Sequence, residues 1–245
     1  MSELVESIRE RYLQALENIA NAARSAGRDP SQVKLVVVTK TQPLEVVRAA
    51  LEAGVSILGE NYPEEGVMKI QYFSEFSAVE WHAIGHLQSR KAQLVAENFN
   101  FLHSLDSLKL AKRLDRFCGA AGRALPALLE FNVGGEESKS GWDASDESRW
   151  PALLDDVRAV ISLPNLQARG LMSMPPLGET AEFSRPFFQK LKRLQTYLQT
   201  QFPQADLSGL SMGTSADYEV AVQEGATFVR VGASIVGARQ YKTEA

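Results

Sequence analysis

Lys40 ends a β-branched run, Val36-Val37-Val38-Thr39, and a primary amine held at a strand end can form an imine with an aldehyde. The amine must be neutral when it attacks, so its ordinary pKa of about 10.4 has to fall. Burial or a neighbouring cation lowers it. The plainer alternative is a solvated lysine that closes a strand. A second segment, Ser211-Met212-Gly213-Thr214-Ser215, precedes a helical pattern and suits a phosphate. Glycine lets the backbone approach an anion, hydroxyls donate to it, and a helix N-terminus adds N–H groups. Arg230-Val231-Gly232-Ala233 offers a further close backbone approach. Ordinary turns and an N-cap would give the same residues.

Other reactive side chains carry less. His82 and His86 are four apart, but paired metal ligands at that spacing need a helix. Trp81 to Gly85 reads as a strand entering a glycine turn, so no metal site is expected. His103 has no carboxylate pattern marking it as a general base. Met172, Met174 and Met212 read as core filler, or as packing for a flat ring.

Strands alternating with helices must position these groups. Leu4, Ile8, Tyr12, Leu16, Ile19 and Ala23 predict an opening amphipathic helix. Apolar runs predict strands over 34–39, 55–59, 80–85, 101–105, 126–132, 166–172, 206–211 and 227–231. Helical spacing covers 43–53, 62–73, 89–98, 107–121, 146–161, 180–202 and 215–224. Pro43 suits a first helical turn, Asp106 and Ser107 suit caps, and Gly54 and Gly225 follow helices as C′ glycines do. The alternation indicates an α/β protein with a parallel sheet. The length suits a single (β/α)8 TIM barrel over residues 1–245 with an extra N-terminal helix, although an open doubly wound sheet alternates in the same way. In a barrel, chemistry collects on the loops after the carboxyl ends of the strands. Lys40, Gly59-Glu60-Asn61-Tyr62, Gly85-His86, Asn132, Met172-Ser173, the Ser211 segment and Arg230-Val231-Gly232 all fall there.

Composition narrows the classes. A net charge of -4 argues against a general nucleic-acid surface, while local cations can still hold a small anion. One cysteine, Cys118, excludes an intrachain disulfide and fits a reducing, cytoplasmic setting. The N-terminus, with Glu3, Glu6, Arg9 and Glu10, lacks the apolar region of a signal peptide. No apolar run approaches the roughly 20 residues of a membrane span.

Seven segments in order resemble the pyridoxal phosphate homeostasis protein family. Val37-Val38-Thr39-Lys40-Thr41 is similar to its AVSKT motif, Gly59-Glu60-Asn61-Tyr62 to GENY, and Trp81 to Ser89 to WHFIGxLQS. Glu137 to Gly141 matches ESKSG, and Gly170 to Pro175 is similar to GLMTIP. Ser211 to Ser215 resembles SMGMS, and Arg230-Val231-Gly232 resembles VRIG. Ala83, Arg90 and Thr214 depart mildly from these patterns.

The resemblance implies a fold-type III barrel like the N-terminal domain of alanine racemase, binding pyridoxal 5′-phosphate (PLP). Lys40 would carry the Schiff base and Arg230 would face the pyridine nitrogen. Ser211, Gly213, Thr214, Gly232 and Ala233 would bind phosphate, with Thr214 contributing its backbone N–H. Asn61 and Met172 would line the ring or its hydroxyl side. The implied role is intracellular PLP homeostasis with no defined catalytic turnover; PLP-dependent apoenzymes are candidate recipients, and the lack of a dimerisation domain points to a monomer. Physical chemistry agrees on one point. PLP is an electron sink when its ring nitrogen is protonated, and arginine cannot accept that proton. A small racemase or lyase is the alternative, although racemases of this fold bring a tyrosine from a second domain, and no sequence after Ala245 supplies one. A phosphate-binding barrel without PLP is a third reading.

Overall fold

Eight parallel strands close on themselves in the computed structural model, which describes residues 2–176 and 178–238. The barrel strands are β1 (Lys34–Val38), β2 (Ile57–Glu60), β3 (Glu80–Ala83), β4 (Phe101–Leu105) and β5 (Leu125–Asn132), then β7 (Leu166–Met172), β8 (Gly209–Thr214) and β9 (Phe228–Val231). β4 pairs with β5 and β1 with β9, which excludes the open-sheet alternative. A two-residue strand, β6 (Trp142–Asp143), adds to the end of β5 outside the ring.

Both faces of the barrel strands are covered, which is why they read as continuous apolar runs rather than alternating ones. In β1, Leu35 and Val37 pack outward into the large helix-facing core. Val36 packs with Leu128, Met172 and Phe228 in a second cluster inside the barrel. The outer layer comprises α1 (Glu3–Ser25), α2 (Leu44–Glu52), α3 (Pro63–Tyr72), α4 (Ala92–Asn98), α5 (Leu108–Ala120), α6 (Leu154–Ile161), α7 (Arg185–Gln201), α8 (Tyr218–Gln223) and α9 (Ala233–Val236). α1 buries Val5, Ile8, Ile19 and Ala23, whereas Leu4 is 38% exposed. Arg9 donates to the carbonyl of Glu52 at 2.9 Å, and Asn18 donates to the hydroxyl of Tyr218 at 2.9 Å. The extra helix therefore straddles the seam where β1 meets β9.

Several boundaries differ from the sequence expectation. Pro43 is the N-cap of α2 rather than its first helical residue. Ser107 caps α5 through the Leu110 N–H, while Asp106 instead accepts from the Ser107 hydroxyl. The helix expected over 146–161 splits into a 3-10 helix, Glu147–Leu153, and α6, with Pro151 removing a donor from the first part. Gly54 and Gly225 adopt φ values of +99° and +106° after α2 and α8, as C′ glycines do. β8 begins three residues later than expected, because Asp206 folds back onto the N–H and hydroxyl of Ser208. It also runs three residues further. Ser211 pairs with Phe228 and Thr214 with Arg230, so one extra residue bulges out of β8, where Gly213 has φ +90°. α8 consequently starts at Tyr218 and not directly after the serine-rich loop.

Candidate functional site

The carboxyl ends of the strands surround a cavity of about 440 Å³ lined by Lys40, Asn61, Met172, Thr214, Arg230, Gly232 and Ala233. A larger concavity, about 890 Å³, lies at the opposite end and contains none of them. The smaller one has the chemistry. It brings an amine, a buried guanidinium, hydroxyls and apolar walls together.

Lys40 is half-buried in the turn that leaves β1. That turn is braced on both sides of the lysine. The Thr39 carbonyl accepts from Lys69 Nζ at 2.7 Å, and the Thr41 N–H donates to Glu65 Oε1 at 2.8 Å. Thr41 sits at φ 59°, a conformation that a β-branched residue adopts only when its surroundings impose it. Lys69 pairs with Glu60 at 2.8 Å and with Glu65 at 2.6 Å, and the Thr39 hydroxyl donates to Glu60 at 2.6 Å. Glu60 and Lys69 are both buried, at 1% exposure. Burial pushes the Glu60 carboxyl up, and the adjacent Lys69 ammonium opposes it. The glutamate of the Gly59-Glu60-Asn61-Tyr62 segment is thus a brace beneath the Lys40 turn, leaving Asn61 on the cavity wall.

Arg230, 4% exposed, enters the cavity from β9. It donates to the Ser211 hydroxyl, to the Ser173 carbonyl at 3.2 Å and to the Met174 sulfur at 2.9 Å. Burial pulls its pKa down to about 10, against the pull of Glu130 and Asp217, so it stays charged at neutral pH. Val38, Ile84, Met172 and Met174 form apolar walls of the cavity.

The segment Ser211 to Ser215 is arranged differently from the expectation. Ser211 is fully buried with its hydroxyl between Arg230 and His103 (2.8 Å), and it does not line the cavity. Gly213 turns away at the bulge. A side chain there would meet Ala221 at 2.5 Å and the Tyr218 backbone at 2.9 Å. The Thr214 N–H is already donated to Asp217 Oδ1 at 2.7 Å. Thr214, Gly232 and Ala233 do reach the cavity, joined by Ser215, whose hydroxyl accepts from the Gly232 N–H at 3.3 Å. The bulge decides this. Beyond Ser211 it reverses which β8 residues face inward, and a strand of regular period could not have shown it.

Sequence reasoning passed over Glu130. It lines the cavity from β5 at 8% exposure, and its Oε2 has no hydrogen-bond partner. Its one available signal was a charge within the apolar run Leu125–Asn132. Burial, with help from Asp106, pushes its pKa from 4.5 up to about 7, against Arg230 and Lys139. The folded state therefore holds a proton that the unfolded chain has released. That contribution to stability is complete below the ordinary carboxylate value and is lost as pH rises through about 7. Glu130→Gln is expected to match the parent in acid. It should become more stable by on the order of 3 kcal/mol as pH passes neutrality. Urea unfolding from pH 5 to 8 measures the difference, and parallel curves would show that Glu130 does not titrate there. Lys139, Ser138 and Ser140 also line the cavity, and Ser140 contacts His86 Nδ1 at 3.0 Å. Their loop is tied back by β6, which was too short to be legible in the sequence.

A closed parallel barrel with its polar groups at the carboxyl end defines the class. The chain matches the family model described as alanine racemase, N-terminal domain, over residues 12–240. Alanine racemase from Clostridium difficile shares the fold at a TM-score of 0.66 and 15% identity, covering 95% of this chain and 61% of its own. The pyridoxal phosphate homeostasis protein of Vibrio alginolyticus is 40% identical over 235 residues, covering 93% of this chain and 97% of its own. PipY of Synechococcus elongatus, solved with PLP bound, is 36% identical at a TM-score of 0.80, covering 94% of this chain and all of its own. The chain belongs to the pyridoxal phosphate homeostasis protein family.

Proposed function

We propose that this chain is one barrel domain over residues 1–245 that takes part in intracellular PLP homeostasis, holding PLP on Lys40 with little or no catalytic turnover. The observation that carries the reading is the meeting of Lys40, Arg230 and Gly232 in one cavity with apolar walls. The residues fit the cofactor. Lys40 supplies the amine for a Schiff base. Asn61 and Met172 line the same cavity and would face the ring or its hydroxyl side. Thr214, Ser215, Gly232 and Ala233 supply hydroxyls and backbone for the phosphate, while Ser211 and Gly213 support that loop from behind. At Gly232 an added Cβ would lie 3.3 Å from both the Cβ and the carbonyl of Val38, so a side chain there would press on β1 and shift this loop by a few tenths of an ångström. PLP, when bound, supplies an aldehyde for exchange with amines and, with its ring nitrogen protonated, an electron sink.

The chain's own residues favour holding over turnover. Arg230 can only donate a hydrogen bond, so it keeps a facing ring nitrogen as an acceptor. Its guanidinium is fixed by Ser211, Ser173 and Met174 and has little freedom to withdraw. Amines that enter could receive the aldehyde from Lys40, which suits delivery to PLP-dependent apoenzymes. We place the protein in the cytoplasm as a monomer. Its single cysteine is a buried free thiol, and no described helix is long and apolar enough to cross a membrane.

Incubation of the PLP-loaded protein with single-enantiomer amino acids in deuterated water tests the reading. Slow spectral changes without sustained Cα–H exchange are expected. Exchange or inversion at on the order of 1–10³ per second would make the protein a racemase or lyase instead. Gly232→Val is expected to weaken PLP binding by about tenfold or more, each charge-assisted hydrogen bond lost corresponding to roughly 1.5–3 kcal/mol. Unchanged affinity in a folded variant, read by visible titration, would remove this loop from the phosphate site.

A further inference from the structure

Arg230 is the upper end of a hydrogen-bonded chain that crosses the barrel interior. Its guanidinium donates to the Ser211 hydroxyl, which lies 2.8 Å from His103 Nδ1. His103 Nε2 lies 2.9 Å from His82 Nδ1, and His82 Nε2 lies 3.1 Å from Glu80 Oε2. The five residues come from β9, β8, β4 and β3. Glu80 is the first residue of β3, so the chain ends at the face opposite the cavity, where the Glu80 side chain is 47% exposed.

The two ends set the direction of every proton between them. Arginine only donates and a carboxylate only accepts. Burial lowers the pKa of His82 despite Glu80, and lowers that of His103 well below 6.5, with His82 and Arg230 adding to the effect. Each imidazole is therefore neutral near pH 7, with one donor and one acceptor nitrogen. His82 must carry its hydrogen on Nε2, facing Glu80, which leaves Nδ1 as the acceptor. His103 must then carry its hydrogen on Nε2 and accept at Nδ1 from Ser211. The Ser211 oxygen is left to accept from Arg230. Reversing any one link would set two donors, or two acceptors, against each other inside the barrel. Phe101 stacks on His82 at 5.0 Å, and Phe228 meets His103 edge-on at 5.2 Å, so apolar rings sheath the chain.

We propose that Glu80 is a positioning residue for the cavity at the far end of the barrel: its carboxylate fixes the tautomers of His82 and His103, and these fix the Ser211 hydroxyl that holds Arg230. Lys34 on β1 also faces Glu80 and His82, and Glu130 and Asp217 face Arg230 from the cavity side. The consequence for ligand binding rests on the reading of that cavity as a PLP site. The tautomers do not.

Histidine side-chain ¹⁵N NMR of the ligand-free protein is the first test. His82 and His103 are each expected as a single neutral tautomer protonated on Nε2. Glu80→Leu removes the acceptor from a half-exposed position, so the fold should survive, and Glu80→Gln retains a carbonyl acceptor without the charge. In the leucine variant both histidines should show mixed or reversed tautomers. PLP should leave it roughly three- to tenfold faster, as expected for a weakened buried hydrogen bond. The glutamine variant should return both readouts to within about twofold of the parent. Protonation of His82 on Nδ1 in the parent overturns the proposal. So does a leucine variant with unchanged tautomers and unchanged PLP release. If the parent binds no PLP at all, the cofactor reading fails while the NMR result still decides the role of Glu80.

Discussion

Lys40→Ala is expected to abolish the visible absorption of a lysine-bound PLP and to weaken PLP binding at least ~tenfold, about 1.4 kcal/mol. The parent, reduced with borohydride and digested, should carry its pyridoxyl group on Lys40. Lys139 lines the same cavity and is the internal control. A label on Lys139, or an unaltered spectrum in Lys40→Ala, would overturn the assignment. The effect should be large because the turn after β1 presents one amine between two braces, the Thr39 carbonyl held by Lys69 and the Thr41 N–H held by Glu65.

Those braces give the second large effect. Lys69→Met leaves Glu60 buried without its cation and releases Glu65 and the Thr39 carbonyl at once. Removing one partner of a buried pair costs about 3–5 kcal/mol, because the remaining charge loses its compensation. The urea midpoint should fall accordingly, and PLP affinity should fall with it as the Lys40 turn relaxes. The double variant Lys69→Met with Glu60→Gln removes the stranded carboxylate. It should recover much of the stability but not the affinity, since the Thr39 carbonyl and Glu65 still lack Lys69. A Lys69→Met protein as stable as the parent would show that the network does not support the turn.

The barrel was legible because its strands are buried on both faces and announce themselves as apolar runs between helical patterns. The places of Lys40, Arg230 and Gly232 at the cavity were legible because a strand end is a position that can be counted from such a run. Expectation and structure part where position depends on something a period cannot carry. Ser211 and Gly213 were expected at the phosphate, but Ser211 is buried in the barrel interior and the bulge beyond it turns Gly213 against α8. Glu60 looked like a mouth residue and is a buried support. Lys69 lies on α3 with nothing in its neighbours to separate it from a solvated lysine. Its role exists only because α3 packs over the β1 turn. His82 and His103 lie 21 residues apart on adjacent strands, and pairing them requires the register of β3 against β4.

The seam between β1 and β9 carries a consequence for how the molecule reaches its native state. Lys34 pairs with Phe228 and Val37 with Val231, contacts between residues almost two hundred positions apart. Closing so long a loop is entropically costly and tends to come late in folding. Lys40 leaves one side of that seam and Arg230 and Gly232 belong to the other, so the cavity has no half-built form. A ligand that bridges them binds only the finished barrel and stabilises it by mass action. During refolding, competence to bind PLP should therefore arise with the slowest phase, after most helical signal has returned, making the ligand a reporter of ring closure rather than of collapse.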